Sequence, residues 1–175
     1  VDDPALLRFT LDTSTGMPKG TMDIAEKVQV QNSGKTFRIG RVTGKGSLGG
    51  SCTFSNGTSV GANTWQVGND ANWTTTVRVT ANANLVKVGS GKTTWNAAND
   101  NTGTTTVSEG ELAVSSSTMF GTGRLTVNEG AVLSGSNSAK NQLSNSTIVI
   151  NGTLRPGLLE GATTGSIIFN QKTVT

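Results

Sequence analysis

Two stretches of this chain repeat one pattern 20 residues apart: Thr105-Thr106-Val107-Ser108-Glu109-Gly110-Glu111-Leu112 and Leu125-Thr126-Val127-Asn128-Glu129-Gly130-Ala131-Val132. Each places β-branched residues first, then a polar turn with Gly, then an apolar residue. The pattern returns at Ile148-Val149-Ile150-Asn151-Gly152-Thr153-Leu154 and, without its Gly, at Ile167-Ile168-Phe169-Asn170-Gln171. Looser copies lie upstream, at Val28 to Gly34, Cys52 to Gly57 and Val77 to Ala83. The turn positions 34, 57, 83, 110, 130, 152 and 171 are then spaced by about 23 residues. A short strand-and-turn unit repeated at such a period stacks each copy on the next.

This spacing predicts an all-β fold, a single-stranded right-handed parallel β-helix of about six rungs from Val28 to Thr175. Rungs about 4.8 Å apart make a stack about 30 Å long. The inward ladder should contain Val107, Val127, Val149 or Ile150, and Ile168; a second, after the turn, should contain Leu112, Val132 or Leu133, and Leu154. Thr (28), Gly (23), Ser (17) and Asn (16) make up nearly half the chain. Asn and Gly suit corners because they tolerate positive φ, and Thr suits outward strand positions. Stacked Asn side chains could also share amide hydrogen bonds from rung to rung. Asn56-Gly57 and Asn151-Gly152 read as hairpin signals too, which would fit an antiparallel sandwich. A sandwich does not usually repeat its turn at a near-constant period. Residues 1–27 read as a lead-in or partial rung, and 28–175 as the repeats.

Composition removes several chemistries. There is no His, so neither a Ser-His-Asp triad nor a His-bearing zinc site is available. Cys52 stands alone and cannot form an internal disulfide. Lys and Arg exceed Asp and Glu by 3 without a basic run, unlike a nucleic-acid binder. The acidic residues are scattered, and no calcium-binding Gly-Gly-x-Gly-x-Asp repeat occurs. No phosphate loop fits the spacing around Gly91-Lys92, so no cofactor is expected. No basic, then apolar, leader opens the chain at Val1-Asp2-Asp3-Pro4, and no apolar run approaches the ~20 residues of a membrane helix.

Further phrases carry a resemblance. Leu85-Val86-Lys87-Val88-Gly89-Ser90-Gly91-Lys92-Thr93-Thr94-Trp95 is followed by Thr102-Gly103-Thr104-Thr105-Thr106-Val107-Ser108-Glu109-Gly110-Glu111-Leu112. Then come Gly121-Thr122-Gly123-Arg124-Leu125-Thr126-Val127-Asn128-Glu129-Gly130 and the closing Gly152-Thr153-Leu154-Arg155-Pro156-Gly157. In this order, over residues 85–157, the phrases resemble the autotransporter-associated β-strand repeat. Asn101 stands where that family often has an aromatic residue, and Thr104 replaces a Gly. The resemblance implies a β-helical stalk of a large Gram-negative surface or secreted protein, outside the outer membrane. It implies no catalytic residues.

Glu109 and Glu129 hold equivalent places, and a stacked carboxylate pair would suit a retaining glycosidase. Corner positions before Gly point to water, however, so the expectation is a solvated pair. Trp65 and Trp73 flank the polar Gly68-Asn69-Asp70 stretch and are the candidate carbohydrate contacts; Trp95, at an apolar strand position, is expected in the core. The Thr74-Thr75-Thr76 and Thr104-Thr105-Thr106 triplets do not recur each rung, as an ice-binding face would require. The expected function is therefore a structural stalk presenting loops or other domains, with a glycan or surface protein as partner. The alternative is a carbohydrate-binding or carbohydrate-active β-helix. The apolar run before Thr175 is expected to be covered by another domain or chain, as a segment of a longer protein would be.

Overall fold

A computed structural model describes residues 5–9, 16–53, 57–115, 119–135, 143–157 and 165–169. Among these there is no helix. The chain forms a β-solenoid of about six turns with about 21 residues in each.

One side of the stack is a seven-stranded sheet. Its order is Gly16–Ile24, Thr36–Gly44, Thr64–Val67, Asn84–Lys87, Thr105–Val107, Leu125–Val127 and Ile148–Ile150, with every neighbouring pair parallel. A second sheet stacks Trp73–Thr75, Lys92–Trp95, Glu111–Val114, Val132–Gly135 and Thr153–Pro156, again in parallel. The third side begins with Ala5–Phe9, Val28–Asn32, Ser47–Leu48 and Arg78–Val79. It continues in the pair Ala98–Asn99 with Met119–Phe120 and in the parallel bridge of Leu143 to Phe169.

Register follows the pleat. In the first sheet Phe37, Trp65, Leu85, Thr105, Leu125 and Ile148 form one inward column. Ile39, Val67, Lys87, Val107, Val127 and Ile150 form the other. In the second sheet Trp73, Thr93, Leu112, Leu133 and Leu154 stack inward. The expected ladders therefore resolve to Ile150 and Leu133, whereas Val149 and Val132 lie in the outward columns. Leu112, Leu125, Val127 and Leu133 are wholly buried, each stabilising the stack by about 1.5–3 kcal/mol. Leu154, on the last strand of its sheet, stays 38% exposed.

Three expectations need correction. The upstream copies lie on a different side from the downstream ones: Val28–Asn32 and Arg78–Val79 belong to the third side, and the strands in register with Thr105–Val107 are Asn84–Lys87 and, one turn further, Thr64–Val67. Mixing two kinds of corner also stretched the apparent period. Cys52 is not on a rung: Ser51–Thr53 pairs antiparallel with Ser59–Gly61, a hairpin inserted within one turn. Ile168 stands beside Phe169 on the third side and not in the column of Val107, its carbonyl accepting the Leu143 N–H. Residues before Val28 already join the stack through Ala5–Phe9 and Gly16–Ile24. Residues 170–175, with the expected open end, lie outside the described residues.

Candidate functional site

The three Trp residues separate by register. Trp65 is wholly buried; its indole N–H donates to the Gly49 carbonyl at 2.9 Å, and its ring meets Phe37 edge-on, which in turn stacks on Phe9. Trp95 is equally enclosed, donating to the Val77 carbonyl at 3.0 Å. Trp73 stands in the inward column of the second sheet at its first strand and is half-buried against the core. Trp65 and Trp73 thus form no joint surface, and Trp65 has no face open to a sugar. The corner carboxylates are exposed, and Glu109 reaches down one turn, where its Oε2 accepts the Gly89 N–H at 3.1 Å.

Buried polar groups lie both within strands, as Thr93 and Thr105 do, and at the corners. Asn101 and Asn145 hold the corner that leads into the first sheet. Asn101 Nδ2 donates to the Ala83 carbonyl of the turn below at 3.2 Å, and Asn145 Nδ2 to that of Gly123 at 2.8 Å. These amides bond backbone instead of one another, so no Asn–Asn ladder forms between them. The opposite corner holds Lys87, a charged residue in an otherwise apolar column and 1% exposed. Its ammonium is a tripod on three carbonyls: Val88 at 2.9 Å, Gly89 at 2.7 Å and Glu109 at 3.0 Å. Burial lowers the Lys87 pKa from 10.5 to about 8, against the opposing pull of Glu109, Asp70 and Glu111. Gly68 lies directly beneath: a Cβ there would come within 1.9 Å of the Val88 carbonyl oxygen.

A concavity of about 540 Å³ lies on the outer face of the second sheet. Its outward columns run Asn72 to Lys92 and Thr74 to Thr94, each pair one turn apart, with Asn96 and Ser115 beside them. Next to Lys92 is Glu111, which pairs with Lys92 at 3.4 Å and with Arg155 from two turns above, and accepts the Ser134 hydroxyl. Burial works against the Glu111 charge, but Ser134, Arg155 and Lys92 together outweigh it and hold the carboxyl below its usual range. This groove was not visible in the sequence, since its members come from separate turns. The Lys of the Leu85-Val86-Lys87-Val88-Gly89 phrase was the available signal for the buried cation.

Among the described residues no three His, Cys, Asp or Glu side chains gather within reach of one metal ion. No helix there is long and apolar enough to cross a membrane. Comparison with protein-family models, with curated proteins and with solved structures finds no match for this chain.

Proposed function

We propose that this chain is a rigid β-solenoid stalk segment of a bacterial surface or secreted protein, presenting loops or other domains for adhesion or interaction. The observation that carries this reading is the use made of polar side chains. Asp70 accepts from Ser90, Asn84 from Thr104, Asn72 from the Lys92 N–H and Glu109 from the Gly89 N–H, each partner 20 residues away on the adjoining turn. Inside, Asn101, Asn145 and Lys87 donate to carbonyls of an adjoining turn. Such bonds tie turn to turn and resist bending or fraying of a rod whose stability is otherwise nearest-neighbour. The inserted hairpin at Ser51–Thr53 and Ser59–Gly61 shows that a turn accepts an added loop without losing register, as a presenting scaffold requires.

The resemblance over residues 85–157 extends the reading to the outer surface of a Gram-negative cell, with the segment's role structural and not catalytic. The test is to tag the full-length gene product in its native host and treat intact cells with protease. The reading expects the tag to be lost from intact cells or found in the medium. A tag protected until lysis, in the cytoplasmic fraction, would refute the surface assignment.

A further inference from the structure

The outer groove of the second sheet holds more hydrogen-bonding capacity than the stacking of turns uses. Asn72 and Asn96 each have their oxygen engaged: Asn72 Oδ1 accepts the Lys92 N–H at 2.8 Å, and Asn96 Oδ1 accepts the Ser115 hydroxyl at 2.6 Å. An amide is planar, so fixing its oxygen also fixes the direction of its NH₂. Neither NH₂ has a protein acceptor among the described residues. Thr74 and Thr94 face each other in register on adjacent turns, and their hydroxyls also lack protein partners among the described residues. Four uncharged hydrogen-bonding groups are thus displayed on a rigid surface at the rung spacing of about 4.8 Å.

We propose that this groove binds an uncharged oligosaccharide, with Asn72, Thr74, Thr94 and Asn96 as its hydrogen-bonding face. Sugar hydroxyls both donate and accept, which matches amide NH₂ groups beside free hydroxyls. A pyranose ring is about as long as one rung step, so one ring can meet two turns. The groove's volume, about 540 Å³, falls within the usual range of about 300–1,000 Å³ for small-ligand sites.

Other ligand classes fit less well. Lys92 is the sole cation of the lining and is already paired with Glu111, so a phosphate or nucleotide finds no free charge. A peptide adding as a strand would pair with the backbone of the edge strand Trp73–Thr75 and leave the outward Asn and Thr side chains unused. The outward columns carry no large apolar side chain, and the one aromatic residue of the lining, Trp73, borders the groove from the inward column. Recognition here rests mainly on polar contacts, with Trp73 at the border of the groove, which implies a modest affinity suited to repeated weak contacts. The proposal is independent of the stalk reading: if no glycan binds, the scaffold role is untouched.

The test screens the whole chain on a glycan array, then titrates it calorimetrically with cellohexaose, maltohexaose, mannohexaose and chitohexaose at millimolar concentrations. At least one neutral glycan should bind. Asn72→Ala, Thr94→Val and Asn96→Ala should each weaken it about three- to tenfold, the loss of one ordinary hydrogen bond. Thr126→Val, on the outer face of the first sheet, should leave binding unchanged, and a single cooperative melting transition verifies that each variant is folded. Absence of binding on the array and in the titrations overturns the proposal. So does binding that the Thr94→Val/Asn96→Ala double variant leaves intact, or a preference for sulfated or uronate glycans that salt abolishes.

Discussion

Lys87 makes stability depend on pH in a direction opposite to that of a salt-bridged lysine. Its pKa falls from 10.5 in the unfolded chain to about 8 in the folded one because the ammonium is buried. Below pH 8 the group is protonated in both states, so stability does not vary with its titration and the burial penalty is complete. Between pH 8 and 10.5 the folded chain has released the proton while the unfolded chain still holds it. Stability must therefore rise with pH across that window. A fall from 10.5 to about 8 corresponds to about 3 kcal/mol at 1.36 kcal/mol per tenfold change. Lys87→Met fills the same column with a side chain that does not titrate. Its absolute stability combines relief from the buried charge with three carbonyls left without a donor, so the decisive quantity is the pH dependence. Urea unfolding of both proteins should be measured at intervals from pH 7 to 10.5. The difference should move in favour of the native sequence by about 3 kcal/mol, with Cys52 and the other lysines cancelling and no Tyr present to interfere. A difference that stays flat across the window would refute the reasoning, and so would one that moves the opposite way.

Trp65→Ala empties a fully enclosed site and removes the donor to the Gly49 carbonyl, so it should cost about 3–5 kcal/mol in denaturant unfolding. Asn145→Ala should cost about 1–3 kcal/mol by leaving the buried Phe120 and Gly123 carbonyls without their amide donor, with faster amide exchange confined to the adjoining turns. Gly68→Ala should cost more than about 1 kcal/mol, because φ is +137° there and the new methyl would strike the Val88 carbonyl, an acceptor of Lys87. Glu111 is held below its usual pKa, so its contribution is complete above the unfolded value and is lost as pH falls through the folded one. Glu111→Gln should flatten that acid limb in thermal melts at pH 3 to 5, lowering the melting temperature at pH 7 and converging with the native protein at the acid end.

The downstream turns could be read from sequence because Thr105–Val107, Leu125–Val127 and Ile148–Ile150 repeat the same alternation before the same kind of corner. Upstream the same geometry is built from unlike residues. Lys87 occupies an inward site where the pattern demands an apolar side chain, which hides its strand from a search for apolar alternation. The hairpin after Gly50 lengthens one turn: Phe37 and Trp65 are in register 28 residues apart, whereas Trp65 and Leu85 are 20 apart. Thr36–Gly44 also runs as one long strand where later turns bend. The burial of Trp95 followed from its strand position, but that of Trp65 did not, because the expected loop beside it begins only after Val67. The groove could not be read at all, since Asn72, Thr94 and Asn96 become neighbours only once the register is known.

The same register explains why so polar a chain has a continuous core. Strands on each side satisfy their backbone groups through the ladders, but corners turn carbonyls away from those ladders and partly inward. A buried carbonyl without a donor costs about 1–3 kcal/mol, so each interior corner needs one. Asn101, Asn145 and Lys87 supply donors at such places, reaching carbonyls that include Ala83, Gly123 and Glu109. Asn does so from a short side chain at the corner itself, reaching a carbonyl of the adjoining turn. Lys87 does so from inside the apolar column, its methylenes packing with Val67 and Val107 while its head caps the corner. Corner chemistry thus accounts for the burial of Asn101, Asn145 and Lys87, and the outward Asn72, Thr74, Thr94 and Asn96 of the second sheet are free of that demand. The unused amide and hydroxyl groups of Asn72, Thr74, Thr94 and Asn96 are consequently the ones the fold leaves available for a partner.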